Sequence, residues 1–317
     1  MNFYQNQIWK KISRDIFKKE VFDYELFGKK YWWVKKTHKK LWIKFNWYQI
    51  LWITIPENVD ENVFKNELKK IKKDFSSLND IFFQLGFINN LPEPFFENRK
   101  NIELNFETNY WLYPSVKENM PCATVIVDLK KSDDELFKNF SKSAKRNIKK
   151  AEKENLYFTI ADEKDIDNFY NLWEKTAKWK WFNIYPKNQY KKLLDYLRSS
   201  WNGNLYLVKK DDVIISWSIE INEWINSYYL YWATNRDHIK IWWHYFLKYE
   251  MFKYLKSKWI EKVDLLWVSP NWYKNHHLLW VSQFKHSLWW EHIEYFWNFD
   301  LPLNKLWYKL LSKLYRK

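Results

Sequence analysis

The sequence predicts a mixed α/β (α+β) protein of two domains, and three observations carry that prediction. The chain has 317 residues, enough for two cores of ordinary size. Short apolar runs that read as strands alternate with segments whose apolar residues recur every three or four positions, the mark of helices packed on sheets. The residue most used at chain reversals is nearly absent, with 3 glycines against 24 tryptophans, and the tryptophans stand where a reversal needs glycine.

Trp201 in Ser-Trp-Asn-Gly, Trp224 in Asn-Glu-Trp-Ile-Asn between two strand-like runs, and Trp259 closing a helical run occupy places where a positive φ favours glycine and penalises any Cβ. The two residue types together number 27, near the usual glycine share of about 7% plus a little true tryptophan. This is the pattern of a source that reads UGA as glycine, translated here as tryptophan. The alternative, a tryptophan-rich carbohydrate-binding or membrane-interface protein, does not explain why the indoles select turns. Trp9 stands apart as a tryptophan expected to be genuine.

In chain order, Val21–Phe27, Tyr31–Lys35 and Tyr48–Ile55 read as strands, and Asp60–Phe75 as a helix with Val63, Leu68, Ile71 and Phe75 as its apolar stripe. Pro92, Pro94, Pro114 and Pro121 punctuate a loop-rich stretch before the apolar run Thr124–Leu129. Asp133, Asp134 and Glu135 then suit the N-terminal dipole of a helix that runs on to Lys153. One face of it carries Phe137, Phe140, Ala144, Ile148 and Ala151; Lys142, Lys145, Arg146, Lys149, Lys150 and Lys153 cover much of the rest. Strand Leu156–Ala161, helices Glu163–Lys178 and Lys187–Ser199, strand Asn204–Lys209, a tight turn at Asp211–Asp212, and strands Val213–Asn222 and Ser227–Ala233 come next. Helix His244–Lys258, strand Lys262–Leu266, a loop around Pro270, strand His292–Phe296 and a basic amphipathic helix Leu303–Arg316 complete the set. The last helix is read as packing on the first domain, with a membrane surface as the alternative.

A single cysteine, Cys122, forms no internal disulfide and fits a reducing compartment. No apolar leader opens the chain, and no uncharged stretch nears the ~18 residues of a membrane span. The reading is of a soluble, monomeric cytoplasmic protein, with peripheral contact at the inner face of the plasma membrane as a further option. The net charge of +15 comes almost wholly from lysine, with only six arginines. AT-rich codons give the same excess, so charge is a weak pointer to an anionic partner.

With tryptophan read as glycine, Lys142–Lys153, KSAKRNIKKAEK, resembles the Lys/Arg-Asn-Ile-x-Lys-Ala-Glu-Lys signature of the Fem family, the FemA/FemB/FemX peptidoglycan-bridge aminoacyltransferases. Thr176-Ala177 before Trp181-Phe182 is similar to the family's Thr-Ala-x-x-x-Gly-Phe, and Tyr228–Ala233 to its Tyr-Tyr-x-Tyr-Gly-Ala. Val263–Val268 resembles Tyr-Asp-Phe-x-Gly-Ile, and Phe284–Trp290 resembles Phe-Lys-x-x-Phe-Gly-Gly. Gln5 and Trp9 are similar to the family's Gln-x-x-x-Trp start. Each motif alone is weak; five in order are strong. They ask for glycine at Trp181, Trp232, Trp267, Trp280, Trp289 and Trp290. The long coiled-coil insertion of larger members has no counterpart in this sequence.

The resemblance implies two GNAT-like acyltransferase domains, residues 1–121 plus 297–317 binding precursor and residues 122–296 forming the second, with the C-terminal helix returning to the first. It implies transfer of an amino acid from aminoacyl-tRNA, the co-substrate, to the side-chain amine of a lipid-linked or UDP-linked muropeptide, with no other cofactor. It makes Lys285 the cationic partner of the tetrahedral intermediate, Phe284 a wall of the acceptor channel and Tyr231 a donor to the precursor's diphosphate. Tyr190 matches the family's phosphate-clamping tyrosine, but Pro186 fills the slot of its arginine, leaving Lys187 as the substitute. The lysine expected four residues after Trp9 is Ser13, so Lys10 or Lys11 must stand in. Trp242 and Trp243, as glycines opening a helix, would offer bare N–H groups to an anion or carbonyl. Lys145, Lys149 and Lys153 are candidates for tRNA phosphates.

Each residue also has a plainer reading: a lysine on a solvated face, a tyrosine or phenylalanine packed in a core. Asp128 and Asp264 read as capping or pairing groups, and the general base is unassigned. No His/Cys spacing suits a metal, and no nucleophile motif supports a covalent intermediate. An acyl-CoA enzyme is disfavoured because Asp, His, Ile, Lys and Ile follow Arg236 where a pyrophosphate loop needs glycines. A non-catalytic basic protein that binds RNA or membrane is the third reading.

Overall fold

The computed structural model describes residues 3–40, 43–56, 59–88, 106–115, 118–238, 242–271, 275–288, 291–295 and 298–315. The chain forms two compact units, one of Met1–Cys122, Pro270–Lys274 and Glu294–Lys317, the other of Ala123–Ser269 and Asn275–Ile293. The stretch around Pro270, read from sequence as part of the second domain, clusters with the first.

In the first unit, helix α1 (Gln7–Lys11) is capped by Asn6, which accepts from Trp9 N at 2.6 Å, and continues as a π-helical turn over Ile12–Ile16. Strands β1 (Glu20–Leu26), β2 (Lys29–Lys40), β3 (Ile43–Ile53), β4 (Asp80–Phe87) and β5 (Tyr113–Pro114) follow, with helix α2 (Glu61–Asp74) between β3 and β4. The sheet order is β1-β2-β3-β4-β13-β5, where β13 is Asn298–Pro302. Only the β3–β4 pairing described in it is parallel. Helix α2 seats Phe64, Leu68 and Ile71 on Tyr48, Ile50, Phe83 and Phe87. Phe64, and not Val63, takes the inward place in the first turn, since Val63 is exposed. Strand β4 escapes the sequence reading because a central strand buried on both faces shows a continuous apolar run without alternation.

Gln5 fills a gap in the β2–β3 ladder: its side chain donates to Trp32 O at 3.1 Å and Leu51 O at 2.7 Å and accepts from Trp32 N at 2.9 Å. That gives the Gln of the N-terminal motif a structural task. The C-terminal helix α9 (Lys305–Tyr315) returns to this unit, and Tyr308 donates to Asp300 Oδ2 at 3.1 Å. Asp300 in turn accepts from Ser115 and Gln84, and Gln84 meets Gln49, so a polar belt crosses the sheet beneath the helix.

In the second unit, β6 (Ala123–Asp128) leads to helices α3 (Asp133–Asn139) and α4 (Lys142–Glu152), then β7 (Tyr157–Ile160), α5 (Asp165–Lys180) and α6 (Lys187–Ser199). Strands β8 (Gly203–Lys210), β9 (Val213–Glu223) and β10 (Asn226–Thr234), helix α7 (Trp242–Ser257), β11 (Lys262–Asp264), α8 (Leu279–Ser287) and β12 (Glu291–Glu294) complete it. The sheet runs β12-β6-β11-β10-β9-β8-β7, with β10 and β11 parallel. The single helix expected over Asp133–Lys153 is two. Phe140 leaves the helix and Ser141 starts the next one by accepting from Ala144 N at 3.1 Å, an N-cap that also ends what precedes it. Its core packs α3, α4 and α7 through Leu136, Phe140, Ile148, Met251 and Leu255. Neighbours Ser216 and Trp217 on β9 point to opposite faces: Ser216 meets His244 of α7, while Trp217 meets Phe169 and Trp173 of α5. The sheet is therefore covered on both sides, and the chain as a whole is two mixed α/β units, each built on one sheet.

Among the described residues, seven of the thirteen non-glycine residues at positive φ are tryptophans: Trp52, Trp111, Trp181, Trp201, Trp224, Trp259 and Trp267. Trp181 caps α5 at φ 57° and ψ 43°, the αL position that glycine fills. Trp181, Trp201, Trp224 and Trp259 each leave 85% or more of their surface in water. Trp9 is the opposite case, a buried indole 5.0 Å from Phe3 and 6.0 Å from Phe17. Trp289 and Trp290 lie outside the described residues. No helix among those described is long and apolar enough to cross a membrane.

Candidate active site

Strand β11 ends in a turn built by Asp264. Its Oδ1 accepts from the Thr124 hydroxyl of β6 and from Leu266 N at 2.8 Å, and the chain then passes through Leu266 and Trp267 at φ 48° and 37°. Those two left-handed residues turn their carbonyls toward α8, where Lys285 Nζ donates to Leu266 O at 2.7 Å and Trp267 O at 3.0 Å. The Asp-x-x-Gly-like and Phe-Lys motifs are thus halves of one device. An ammonium has three protons; these carbonyls take two. Lys285 is 2% exposed, and burial lowers its pKa to about 7, with the nearby Lys248 charge acting in the same direction and Asp264 and Glu220 opposing. Burial likewise raises Asp264 to about 6 against its hydrogen bonds.

Lys285 faces a second buried cation. Lys248 of α7 donates to Glu220 Oε1 of β9 at 2.9 Å, and both side chains are fully buried. Lys248 Nζ stands 3.0 Å from the ring centroid of Tyr229, and Lys285 Nζ 5.4 Å from the same centroid. Burial lowers Lys248 to about 8 and raises Glu220, and the ion pair resists both shifts. Removing one partner of such a pair costs ~3–5 kcal/mol, whereas an apolar pair of similar volume is often as stable.

The hydroxyl of Tyr229 and the ring of His244 are 2.7 Å apart at Nε2, while His244 Nδ1 is 2.8 Å from Ser216 Oγ, which reaches Ala233 O at 3.3 Å. If Ser216 donates to that carbonyl, Nδ1 carries the proton and Nε2 accepts from Tyr229. Burial holds His244 well below its usual range and Tyr229 well above, so both stay neutral. Phe284 packs on this group, 4.9 Å from His244 and 6.3 Å from Trp232. Trp243 is buried in the same core. Trp242 opens α7, but its side chain is outside the described residues.

Tyr231 and Tyr190 sit elsewhere. A bulge between Tyr229 and Tyr231 pairs the first with Glu220 and the second with Ile219, which puts the two tyrosines on opposite faces of the sheet. Tyr231 lies 6.3 Å from Tyr190 and 6.1 Å from Trp173, and Trp173 Nε1 donates to the Tyr190 hydroxyl at 2.9 Å. Burial pushes Tyr190 up to about 12. Lys187 is on the surface, paired with Asp167 at 2.9 Å. Lys149 and Lys153 are exposed on α4 and just after it, beside exposed Lys142, Arg146 and Lys150, while Lys145 is half-buried and donates to Lys138 O at 3.1 Å.

In the first unit Lys10 is engaged by Asp23. A cavity of about 130 Å³ is lined by Gln5, Trp9, Ser13, Lys19 and Lys36 among others, so Lys19 and Lys36 supply cations beside the slot that Ser13 leaves without one.

Residues 115–201 match the FemAB family model. That stretch runs from the last turns of the first unit to the end of α6. The whole chain is similar in fold to a solved structure described as FemX, with TM-score 0.66 at 15% identity over 97% of this chain and 94% of that one. It is also similar in fold to the C-terminal domain (DUF2156) of a putative lysylphosphatidylglycerol synthetase from Agrobacterium fabrum, with TM-score 0.52, 11% identity and 98% and 91% of the two chains covered. L-PGS from Bacillus licheniformis gives TM-score 0.51 at 12% identity over 94% and 89%. No curated protein matches by sequence.

Sequence reasoning missed Glu220, Lys248, Tyr229 and His244. A signal was present: Lys248 is the lone charge in His-Tyr-Phe-Leu-Lys-Tyr, and Glu220 the lone charge in Ile-Ile-Ser-Trp-Ser-Ile-Glu-Ile, opposite signs set in two apolar elements.

Proposed function

We propose that this chain is an aminoacyltransferase that moves an amino acid from aminoacyl-tRNA to the side-chain amine of a peptidoglycan precursor pentapeptide, lipid-linked or UDP-linked. The observation that carries the reading is Lys285 fixed on the carbonyls of Leu266 and Trp267 with one proton left to give. In the transfer, the neutral amine attacks the ester carbonyl, a C–N bond forms, and the C–O bond to the terminal ribose breaks. The amine's proton leaves and the ribose hydroxyl gains one. The oxyanion formed between these events is where an ammonium in a dry site acts most strongly. Phe284 lines the approach, and Trp242 and Trp243, as glycines, leave backbone N–H groups for the peptide.

In this reading Tyr231, Tyr190 and Lys187 hold the precursor, Lys19 and Lys36 serve anionic groups in the first unit, and Lys145, Lys149 and Lys153 hold tRNA phosphate. Transfer sits at the inner face of the membrane when the precursor is lipid-linked. The FemAB match over residues 115–201 supports this assignment. The test incubates the protein with mixed charged tRNAs and either precursor, and reads product by mass. One added aminoacyl residue, abolished by ribonuclease, is expected. An acetyl increment from acetyl-CoA with no aminoacyl product would sink the reading in favour of a CoA-dependent enzyme.

A further inference from the structure

Two lysines and a glutamate buried around one tyrosine ring are more charge than a fold needs. Lys248 and Glu220 are fully out of water, where an apolar pair would pack without desolvation. Their place is informative: Lys248 stands 3.0 Å and Lys285 5.4 Å from the centroid of the Tyr229 ring. Lys285 itself has only carbonyls among its hydrogen-bond partners, and carbonyls do not titrate. We propose that Lys248, anchored by Glu220, is a positioning residue for Lys285 that sets the charge of its amine across the face of Tyr229.

This rests on the reading of Lys285 as the group that meets the oxyanion. The groups facing Lys285 are Lys248 and His244 on α7, Glu220 on β9, Tyr229 on β10 and Asp264 on β11. His244 and Tyr229 are held neutral by burial, which leaves one cation and two carboxyl groups. Lys248 is the facing charge that lowers the Lys285 pKa, and Asp264 and Glu220 raise it. Loss of Lys248 therefore favours the ammonium of Lys285, and its titration moves to higher pH. The ammonium is the form that meets the oxyanion, so Lys248 sets the pH above which Lys285 loses that form.

The experiment follows lysine ¹³Cε shifts against pH in the whole protein, with the Lys285 signal assigned by its loss in Lys285→Arg. In Lys248→Met the Lys285 titration is expected to move up by about one pH unit or more, within the range over which buried charges act. Lys248→Arg keeps the charge and should restore the original curve. Should Lys248→Met not fold with Glu220 unpaired, Lys248→Met/Glu220→Gln removes both charges and should give a smaller shift of the same sign. A Lys285 titration unmoved in a folded variant of either kind overturns the inference. The alkaline limb of the transfer rate should move with the NMR curve. A Lys285→Met protein with undiminished transfer would remove the catalytic reading, yet leave the titration result to stand or fall by itself.

Discussion

Lys285 is held by main-chain atoms and poised by charge, so its loss should strike the chemical step. An ammonium directed at a forming oxyanion is worth most in the transition state. Lys285→Met keeps the length, removes the charge, and should lower turnover by roughly 10²–10³ while leaving precursor affinity nearly intact. Lys285→Arg should rescue in part, since a planar guanidinium places its protons differently. Comparison of kcat with precursor Kd decides: equal losses in both make Lys285 a substrate clamp, and no loss in either ends its assignment. The lysine was legible because a local motif names it. Its neighbours were not, since Glu220 and Lys248 are 28 positions apart in sequence and meet only when β9 and α7 pack.

Helix α4 shows the same division at the scale of an element. Its buried face of Ala144, Ile148 and Ala151 follows from the spacing of apolar residues, and the opposite lysines follow from what remains. Its start does not, because the face runs through Phe140 without interruption and only the Ser141 cap divides α3 from α4. Strand β4 and helix α8 were missed for related reasons: one lacks alternation because both its faces are buried, the other follows a proline-marked loop and is short. If α4 holds the tRNA acceptor arm, replacing Lys145, Lys149 and Lys153 with Gln should weaken tRNA binding. It should also flatten its salt dependence by up to ~0.9 in log–log slope for each phosphate left without its lysine. Exposed Lys149 and Lys153 should account for most of that change, because Lys145 already spends a proton on Lys138 O. A slope equal to that of the unchanged protein would make the lysines a solvated face.

For the whole molecule the tryptophans decide the stability. A non-glycine residue in a sparsely populated backbone region costs ~1–3 kcal/mol, and seven tryptophans are held at positive φ in a protein whose net stability should be about 5–15 kcal/mol. Indoles at Trp181, Trp201, Trp224 and Trp259 give little back, being almost wholly in water. Changing each of these four to glycine should therefore raise Tm, by roughly 2–4 °C per position for each kcal/mol relieved. Trp9→Gly should act oppositely and lower stability by ~3–5 kcal/mol or more, as truncation of a packed aromatic does. Thermal unfolding of the five single variants reads both signs. Recoding makes the complementary claim about the source: peptide masses from the native protein should show glycine at Trp181, Trp201, Trp224, Trp259, Trp267, Trp280, Trp289 and Trp290, and tryptophan at Trp9. Indole found at Trp181 or Trp267, together with no gain in Tm from glycine at the four exposed sites, would mean that the chain tolerates these side chains as they stand. The sequence motifs that need glycine would then lose their footing, and the transfer reaction with them.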